Sequence, residues 1–432
     1  MADVTPFRGI CYDRAVVLDD VVAPPYDVIS AAQNAELASR SPYNVVRLDL
    51  PVGPGETPDA EAYERSADLF REWQATGVLR RDDTPCMYLI DQTYVGPDGR
   101  ERTRRGFIAR LRLADFAEGV VRPHERTHAG PKVDRLQLYR AAHADLSQIF
   151  LLVPDDDGAV REALAEGAAA ASGAREAHDG DGNLHRIVPL GANAAERIAE
   201  ALRGRPVYIA DGHHRYETAL AYRDERRAAG DHSADTLMVY LCSLSDPGLT
   251  VFPTHRLIKD LAVPPLGDLL ARLRPCFDLT GEPVRGLAAA RTLLELLPEQ
   301  ADPGRVFGLY LAGEDVCIAV RAREPAATQQ LLAAGLSVET ARLSVTVLHD
   351  LILLDALGMD PGSEEEQVEY VKSVPDALAA LAGGGYSAAA FLNATEVGQV
   401  RAVADRDEVM PQKSTYFYPK LLTGLVIDAL GS

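Results

Sequence analysis

The chain has 432 residues, of which 47% are hydrophobic and 25% are charged, so it is long enough for two or three folded domains and does not have a disordered composition. Its formal net charge of -20 argues against broad binding to nucleic acid or to anionic membranes, because either needs a basic surface. Residues 1–9 lack a charged start followed by an apolar run, and no apolar stretch approaches membrane-spanning length. Five cysteines without paired spacing indicate reduced, mostly buried thiols. We therefore expect a cytoplasmic protein without a membrane partner.

The first segment of interest is residues 23–30, in which two adjacent prolines fix an extended, turn-like backbone. Tyr26 and Asp27 follow these prolines, so their side chains are held in place. Both residues are candidates for lining a substrate pocket. A proline-stiffened turn whose Asp27 caps the next helix is the alternative.

The rest of the N-terminal region alternates between strand and helix patterns. Residues 44–50 alternate like a strand, residues 60–76 are typical of an amphipathic helix, and residues 86–94 and 103–111 predict a hairpin around a Gly-Pro-Asp-Gly turn. Arginines at positions 102, 104, 105, 110 and 112 form a basic patch that is either solvated or faces an anionic ligand.

A second polar segment, residues 121–135, crowds charged side chains into a Pro/Gly-containing loop before a helix expected to begin near Asp134. Glu125, flanked by His124 and Arg126, is a candidate general base, and His124 is a further catalytic candidate. Three other side chains would neutralise a charged substrate: His128, Lys132 and Arg135. A solvated charged loop is the alternative.

The central motif is residues 207–220, where a short apolar strand is followed by Asp211-Gly212 and then by a helix pattern from Tyr216 onwards. The first turn of a helix offers free backbone N–H groups and the positive end of the helix dipole, which together favour an anion. Gly212 allows close backbone approach, and His213, His214 and Arg215 add donors and positive charge. The motif predicts a phosphate site, with Asp211 as a catalytic and metal-binding candidate. The alternative is that Asp211 only caps the helix.

The later part of the chain is predicted to be rich in helices. Strands are expected at residues 237–243, 249–257, 306–311, 317–320 and 388–392, and residues 337–357 are expected to contain a strongly apolar helix. His255 and Arg256 end one of these strands, where open sheets place ligand groups. His349, inside the apolar helix, is expected to be a core or interface residue.

The chain closes on a polar and aromatic segment at residues 410–424. Lys413, Ser414, Thr415 and Lys420 are suited to holding a phosphate, although their spacing is not that of a Walker loop. An aromatic hook that packs on the core is the competing interpretation.

These patterns predict a mixed α/β (α+β) fold in three regions. They are an N-terminal α/β region (1–120), a central region with both polar motifs (121–258) and a helix-rich C-terminal region whose tail returns to the site (259–432).

Five segments of the chain together carry a family resemblance: residues 24–29, 122–125, 210–219, 253–256 and 410–420. They resemble the bacterial and archaeal family known as domain of unknown function 1015 (DUF1015), a name that implies no activity. The segment from Asp211 to Tyr216 is also similar to the nucleotide-handling motif of the ParB/sulfiredoxin superfamily, which includes free serine kinases. That resemblance implies a nucleotide-type central region in which Glu125 activates a serine hydroxyl and residues 213–215 bind phosphate.

Three functions remain open. The first is a kinase-like phosphotransferase that acts on a small hydroxylated metabolite, with serine or phosphoserine as the leading candidate, a nucleotide or pyrophosphate as donor, and Mg²⁺ held by Asp211. The second is a metal-dependent hydrolase or phosphatase, whose zinc or manganese ligands would come from His124, His128, His213, His214, His255, Asp211 and Glu125. The third is a nucleotide-binding sensor without catalysis, which would not need Glu125.

Overall fold

The computed structural model describes residues 2–52, 60–125, 129–297 and 305–431. The chain forms two compact units. The first unit comprises residues 1–123, 127–250 and 419–432, and the second comprises residues 124–126 and 251–418. The boundaries of these two units differ from those of the three regions predicted from the sequence. The division into three regions stays a prediction.

The first unit contains twelve described strands before residue 250. They are β1 (Val4–Thr5), β2 (Ile10–Tyr12), β3 (Leu79–Arg81), β4 (Met87–Val95), β5 (Glu101–Arg112), β6 (Val121–Arg122), β7 (Ala144–Asp145), β8 (Ile149–Val153), β9 (Arg175–His178), β10 (Leu184–Leu190), β11 (Val207–Asp211) and β12 (Thr236–Ser243). Its helices are α1 (Ala31–Arg40), α2 (Val46–Asp49), α3 (Ala60–Ala75), α4 (Ala129–Ala142), α5 (Ala159–Ala170), α6 (Ala192–Leu202) and α7 (His213–Ala228).

A large mixed sheet organises the first unit, with the strand order β6-β11-β8-β12-β5-β4-β10-β9 and with β1 paired to β5. β6 runs parallel to β11 and β8 runs parallel to β12, whereas β11 and β8 are antiparallel. The five side chains of β8 are all buried, as expected for an uninterrupted apolar run in a sheet covered on both faces. The core around this sheet also takes in Leu164, Ile198 and Tyr216 from three helices. β11 therefore ends in a well-packed part of the unit.

The second unit follows Thr250 and has its own sheet. Its strands are β13 (Thr250–Phe252), β14 (His255–Ile258), β15 (Phe277–Leu279), β16 (Val284–Arg285), β17 (Val306–Leu311), β18 (Val316–Ala322), β19 (Val368–Val371), β20 (Ala388–Leu392) and β21 (Tyr416–Tyr418). Its helices are α8 (Leu266–Leu273), α9 (Leu287–Glu295), α10 (Ala326–Ala333), α11 (Val338–Ala341), α12 (Ser344–Thr346), α13 (Glu364–Gln367), α14 (Val374–Gly383) and α15 (Val397–Ala404). The sheet has the order β15-β18-β17-β20-β14-β19, with β16 paired to β18.

The last described strand, β22 (Asp428–Ala429), returns the chain to the first unit and pairs with β7. Asp428 forms an ion pair with Arg110 of β5, with 2.6 Å between Oδ2 and Nε. Among the described helices, none combines the length and the apolar character needed to cross a bilayer.

The mixed α/β class is confirmed, and so are many individual elements. The predicted strands at residues 306–311 and 388–392 coincide with β17 and β20, and the hairpin is formed by β4 and β5 in antiparallel register. The cysteines of the chain are free, and all except Cys11 are buried.

The strand predicted at residues 44–50 is wrong, because residues 46–49 form the short helix α2. Asn44 is buried and organises this turn: its Nδ2 donates to the Asp20 carbonyl oxygen at 2.9 Å, and its Oδ1 accepts from the Val46 N–H at 3.1 Å. A buried asparagine that satisfies backbone groups in this way competes with strand pairing.

Two other elements are interrupted. The strand predicted at residues 249–257 is divided into β13 and β14 by Pro253 and Thr254. The apolar helix predicted within residues 337–357 is replaced by α11, α12 and a π-helical segment, Val347–Ala356. His349 lies in that π-helical segment, with its Nε2 3.5 Å from Glu364 Oε1.

The basic patch predicted around residues 102–112 is not a single solvated surface. Arg104 is fully buried and donates through Nε to Gln92 Oε1 at 3.0 Å, and Arg105 and Arg110 are paired with Asp91 and Asp428. Side chains of β5 alternate between the two faces of the sheet, so arginines that are close in sequence have different surroundings.

Candidate functional site

The turn between β11 and α7 is a strand–glycine–helix junction in which the glycine is required. Gly212 has φ of 95° and is the residue immediately before α7. A Cβ at this position would lie 2.7 Å from Ile149 Cγ2, so both the backbone conformation and the available space exclude a side chain. The register of β11 against β8 shifts between Ile209 and Asp211, which is typical of a bulge that changes the direction of a side chain. The helix begins at His213, three residues before the predicted start.

Two cationic side chains lie close to the carboxylate of Asp211. Lys420 Nζ is 3.3 Å from Oδ1, and Arg215 Nη2 is 3.4 Å from Oδ2. Arg215 is buried, and its Nη1 also donates to the Gln148 carbonyl oxygen at 2.7 Å. Burial lowers the pKa of Arg215, but the carboxylates of Asp211, Asp27 and Asp49 outweigh that effect and raise it. Arg215 therefore carries its charge in the first turn of a helix.

Tyr26 connects Arg215 to a second buried arginine. The guanidinium carbon of Arg135 lies 4.1 Å from the centre of the Tyr26 ring, and that of Arg215 lies 5.9 Å from it. Arg135 Nη1 forms a 3.1 Å ion pair with Asp49 Oδ1. Burial, and then the neighbouring Asp27, raise the pKa of the Tyr26 hydroxyl to about 12, so Tyr26 stays protonated. Of the two predicted pocket residues, Asp27 is exposed whereas Tyr26 is half-buried.

The remaining predicted residues of the first unit lie on α4 and α7. Lys132 Nζ forms an ion pair with Glu217 Oε2. His213 is buried and His214 is half-buried, and the His214 carbonyl oxygen accepts from Thr218 Oγ1 at 2.7 Å. The first unit thus brings together the Asp211–Arg215 turn, Lys420, Tyr26 and Arg135, which come from distant parts of the sequence.

Glu125 and His124 belong to the second unit. The backbone of Glu125 forms an isolated parallel β-bridge with Met410, and the side-chain Oε1 of Glu125 accepts from the Ser414 N–H at 3.2 Å. His124 is fully buried, and its Nε2 lies 3.1 Å from Thr415 Oγ1. Residues 124–125 and the 410–415 segment are therefore held together. Arg126 and His128 lie outside the described residues.

His255 and Arg256 are at the start of β14, not at the end of a strand as predicted. Burial, with a further contribution from Arg256, lowers the pKa of His255 to about 3, so its imidazole is neutral. Burial also lowers the pKa of Arg256 to about 10, against the opposing effect of Tyr370 and Glu125. Arg256 Nη1 donates to Thr254 Oγ1 at 2.9 Å, and its guanidinium lies 5.3 Å from the centre of the Tyr370 ring.

The C-terminal polar segment is divided between the two units. Lys413, Ser414 and Thr415 belong to the second unit, where Thr254 Oγ1 donates to the Lys413 carbonyl oxygen at 2.7 Å. Lys413 is exposed and has φ of 52°. Lys420 belongs to the first unit. The aromatic-hook interpretation has support, because Tyr418 stacks on Phe252 with 4.3 Å between the ring centres.

Three residues that contact the group formed by the Asp211–Arg215 turn, Lys420, Tyr26, Arg135 and Lys132 were not identified from the sequence. Asp49 lies in the segment misread as a strand, Gln148 contributes only its carbonyl oxygen, and Glu217 is one turn beyond the motif on α7. Of these three residues, only Glu217 could have been found from the sequence. It lies four residues after His213 on a predicted helix, and residues at this spacing share a helix face.

The side chains around Asp211 do not fit a resident metal ion in this arrangement. Both of its carboxylate oxygens are directed at cations, whereas a magnesium ligand needs an oxygen that is open to the metal. In the part of the chain that the structure describes, no group of three or more His, Cys, Asp or Glu side chains is placed to hold a metal.

The fold and the turn define a mixed α/β protein with a glycine-dependent helix N-terminus and two buried or half-buried cations beside it. The chain belongs to the family described as "Protein of unknown function (DUF1015)", whose model matches residues 4–345. The matched residues end before the 410–420 segment. Comparison with curated proteins finds no match.

Several solved structures are similar to this chain at low identity. A free serine kinase in complex with AMP shares 14% identity, with 72% of this chain and 88% of that chain covered and a TM-score of 0.36. A conserved hypothetical protein from Pyrococcus furiosus shares 15% identity, with 72% and 91% covered and a TM-score of 0.33. C-terminally truncated SbnI from Staphylococcus aureus shares 10% identity, with 70% and 82% covered and a TM-score of 0.31. These TM-scores are too low to carry a functional argument.

Proposed function

We propose that this protein is a phosphotransferase that moves a phosphoryl group between a nucleotide or pyrophosphate and a small hydroxylated metabolite, with serine and phosphoserine as the first pair to test. The observation that carries the proposal is the arrangement of Arg215 and Lys420 beside the N-terminus of α7. Transfer of a phosphoryl group needs positioning and charge neutralisation more than covalent chemistry from the protein.

The β11–α7 turn supports a phosphate-binding role through three features. Gly212, with φ of 95°, lets α7 begin directly after Asp211, so the N-terminus of a 16-residue helix lies next to the two cationic side chains. The side chain of Lys420 is 16% exposed, so its ammonium group is within reach of a ligand, whereas Arg215 is fixed from behind by the Gln148 carbonyl oxygen. A bound phosphate would replace Asp211 as the partner of one or both cations.

The other predicted groups have supporting roles in this proposal. His213, His214, Lys132 and Arg135 would neutralise or position the substrate, and Tyr26 with Asp27 would line its pocket. Glu125 would accept the proton of the attacking hydroxyl, and this role stays a prediction, as do those of His124, His255, Arg256, Lys413, Ser414 and Thr415. Magnesium would enter with the nucleotide, as part of that substrate.

The first experiment is a thermal-shift and calorimetric titration of the purified protein with ATP, ADP, pyrophosphate, serine and phosphoserine, each with and without magnesium. A ligand that binds only the folded protein raises its melting temperature. We expect a shift with a nucleotide or pyrophosphate, and at least about a tenfold loss of affinity in Lys420→Met, which corresponds to about 1.4 kcal/mol.

The matched control is Lys259→Met. Lys259 Nζ also pairs with a carboxylate, Glu369 Oε2, at 2.8 Å, but it lies in the second unit. Equal losses in both variants, or no shift with any phosphate ligand, would contradict the proposal. If nucleotide binding is lost in Lys420→Met but no phosphoserine or nucleotide turnover is detected by ³¹P NMR, the non-catalytic sensor is the better interpretation.

A further inference from the structure

A cavity of about 570 Å³ lies in the first unit, apart from the β11–α7 turn. Its lining includes four arginines, contributed by the end of β5, the residue after α6 and the second half of α7: Arg112, Arg203, Arg223 and Arg227. The volume is in the usual range for sites that bind small organic molecules. Such a concentration of arginine is notable in a chain with a net charge of -20.

The arginines of this cavity differ in their burial and in the ion pairs that they form. Arg223 is buried and fixed, because its Nη2 lies 3.0 Å from Asp115 Oδ1 and 2.8 Å from Asp224 Oδ1. Arg203 and Arg227 form surface pairs with Glu200 and Asp235, which lie outside the lining. Surface pairs of this kind contribute little to stability and are readily exchanged for a ligand.

Arg112 has no hydrogen bond or ion pair from its guanidinium within the described residues, and it is exposed. Its backbone N–H donates to the Asp3 carbonyl oxygen at 2.9 Å, so its Cα is fixed while its guanidinium is available. Arginine presents a planar set of donors that matches carboxylate and phosphate groups.

Acidic side chains also line the cavity, but they do not neutralise its arginines. Asp115 Oδ1 is occupied by Arg223, and Glu118 Oε1 accepts from the Asp115 N–H at 2.8 Å. The third acidic residue, Asp3, is exposed, and the lining has one more arginine than it has carboxylates. Apolar side chains such as Leu113 and Val120 complete the wall, so the cavity suits an organic body that carries anionic groups, and not an inorganic ion alone.

We propose that this arginine-lined cavity is a second small-molecule site, which binds an organic anion carrying phosphate or carboxylate groups. It is separate from the β11–α7 turn, because Arg223 lies eight residues beyond Arg215 on α7, a rise of about 12 Å. The two regions are joined through Tyr216, whose hydroxyl donates to the Ala114 carbonyl oxygen in the cavity wall at 2.6 Å. The proposal does not rest on the phosphotransferase activity.

The test is a calorimetric titration of the full chain with glycerol 3-phosphate and with citrate, one probe for each anionic group, at physiological salt. We expect at least one probe to bind at millimolar concentration or below, and its affinity to fall about tenfold in Arg112→Gln and in Arg203→Gln. Both substitutions are at exposed positions, so the fold is expected to be retained, and the probe that binds identifies the chemical class.

The matched control is Arg197→Gln on α6, since Arg197 pairs with Glu166 on the surface and does not line the cavity. Three results would overturn the proposal: neither probe binds, Arg197→Gln weakens binding as much as Arg203→Gln, or binding is lost in Lys420→Met and unchanged in Arg112→Gln. The last result would assign the probe to the β11–α7 turn, so failure of this proposal is distinguishable from failure of the proposed function.

Discussion

The two polar clusters of the protein use cationic side chains in different ways. At the β11–α7 turn of the first unit, Arg215 is surrounded by carboxylates that raise its pKa, and Lys420 is partly accessible. In the second unit, Arg256 is buried beside a neutral His255, and burial lowers the pKa of both. The first cluster keeps positive charge near a helix N-terminus, whereas the second is a desolvated network that holds residues 124–125 and 410–415 together.

We therefore expect the cluster of the first unit to bind an anion and the cluster of the second unit to support the conformation of the chain. A glycine with positive φ, Gly212, lies in the first cluster, and an exposed lysine with positive φ, Lys413, lies in the second. A residue other than glycine in that conformation carries strain, which the surrounding hydrogen bonds of Ser414 and Thr254 must offset. The comparison can be tested by substitutions that act on one cluster at a time.

The largest expected effect is that of Gly212→Ala. The added Cβ meets Ile149 at 2.7 Å and the backbone is held at φ of 95°, so we expect the free energy of unfolding of the first unit to fall by about 3 kcal/mol. Trp73 is the only tryptophan and is buried in the first unit, so urea unfolding followed by its fluorescence reports on that unit.

Gly230→Ala is the control for the backbone conformation alone. Gly230 has φ of 78°, and no atom lies within 4 Å of the place that a Cβ would take, so a loss of only about 1 kcal/mol is expected. Equal losses in the two variants would show that close packing at Gly212 has no role.

Glu125→Gln tests whether the second-unit cluster also takes part in chemistry. The glutamine keeps an Oε1 that accepts from the Ser414 N–H, so the fold is expected to be unchanged. If Glu125 is the general base, kcat for phosphoryl transfer falls about 100-fold, with little change in the affinity for the donor. A coupled assay of ADP release, or ³¹P NMR when pyrophosphate is the donor, measures kcat, and an unchanged kcat would remove Glu125 from the mechanism.

Acid sensitivity provides a third test, because His255 is held neutral in the fold with its pKa lowered from 6.5 to about 3. The unfolded chain takes up this proton below about pH 6.5 and the folded chain does not, so the stabilising contribution is present above that pH and is lost as the pH falls. Between about pH 6.5 and about pH 5 the loss amounts to about 2 kcal/mol.

His255→Asn removes this titration, since the asparagine Oδ1 can accept from the Leu392 N–H in place of the histidine Nδ1. Its overall stability will be lower, but its dependence on pH in this interval should be flatter than that of the natural protein in urea unfolding followed by circular dichroism. A variant that loses as much stability on acidification as the natural protein would contradict the assignment.

The smallest expected effect is a gain from Lys413→Gly. Glycine adopts the φ of 52° found at this position without strain, so we expect stabilisation by about 0.5 to 1 kcal/mol. Lys413→Ala removes the same charge but retains a Cβ, and its melting temperature should not rise. A rise in both variants would attribute the gain to charge and not to the backbone.

Local patterns predicted much of the fold. The strands β17 and β20, the β4–β5 hairpin and the strand before Gly212 follow from short apolar runs and turn residues, which act over a few positions. The predictions failed where a buried polar residue or a break in the backbone decided the outcome. Asn44 turns an alternating segment into a helix, and residues 347–356 form a π-helix inside an apparently continuous apolar helix.

The sequence by itself determined that a strand, a glycine and a helix follow one another at residues 207–220, and that the chain carries three polar segments. Only the tertiary structure decided which side chains meet there. Lys420 reaches Asp211 across 209 residues of sequence, and Glu125 and Lys413 fall in a different unit from the turn with which they were grouped. Backbone propensity is a property of neighbouring residues, whereas such contacts depend on how whole elements pack, and no local pattern encodes that.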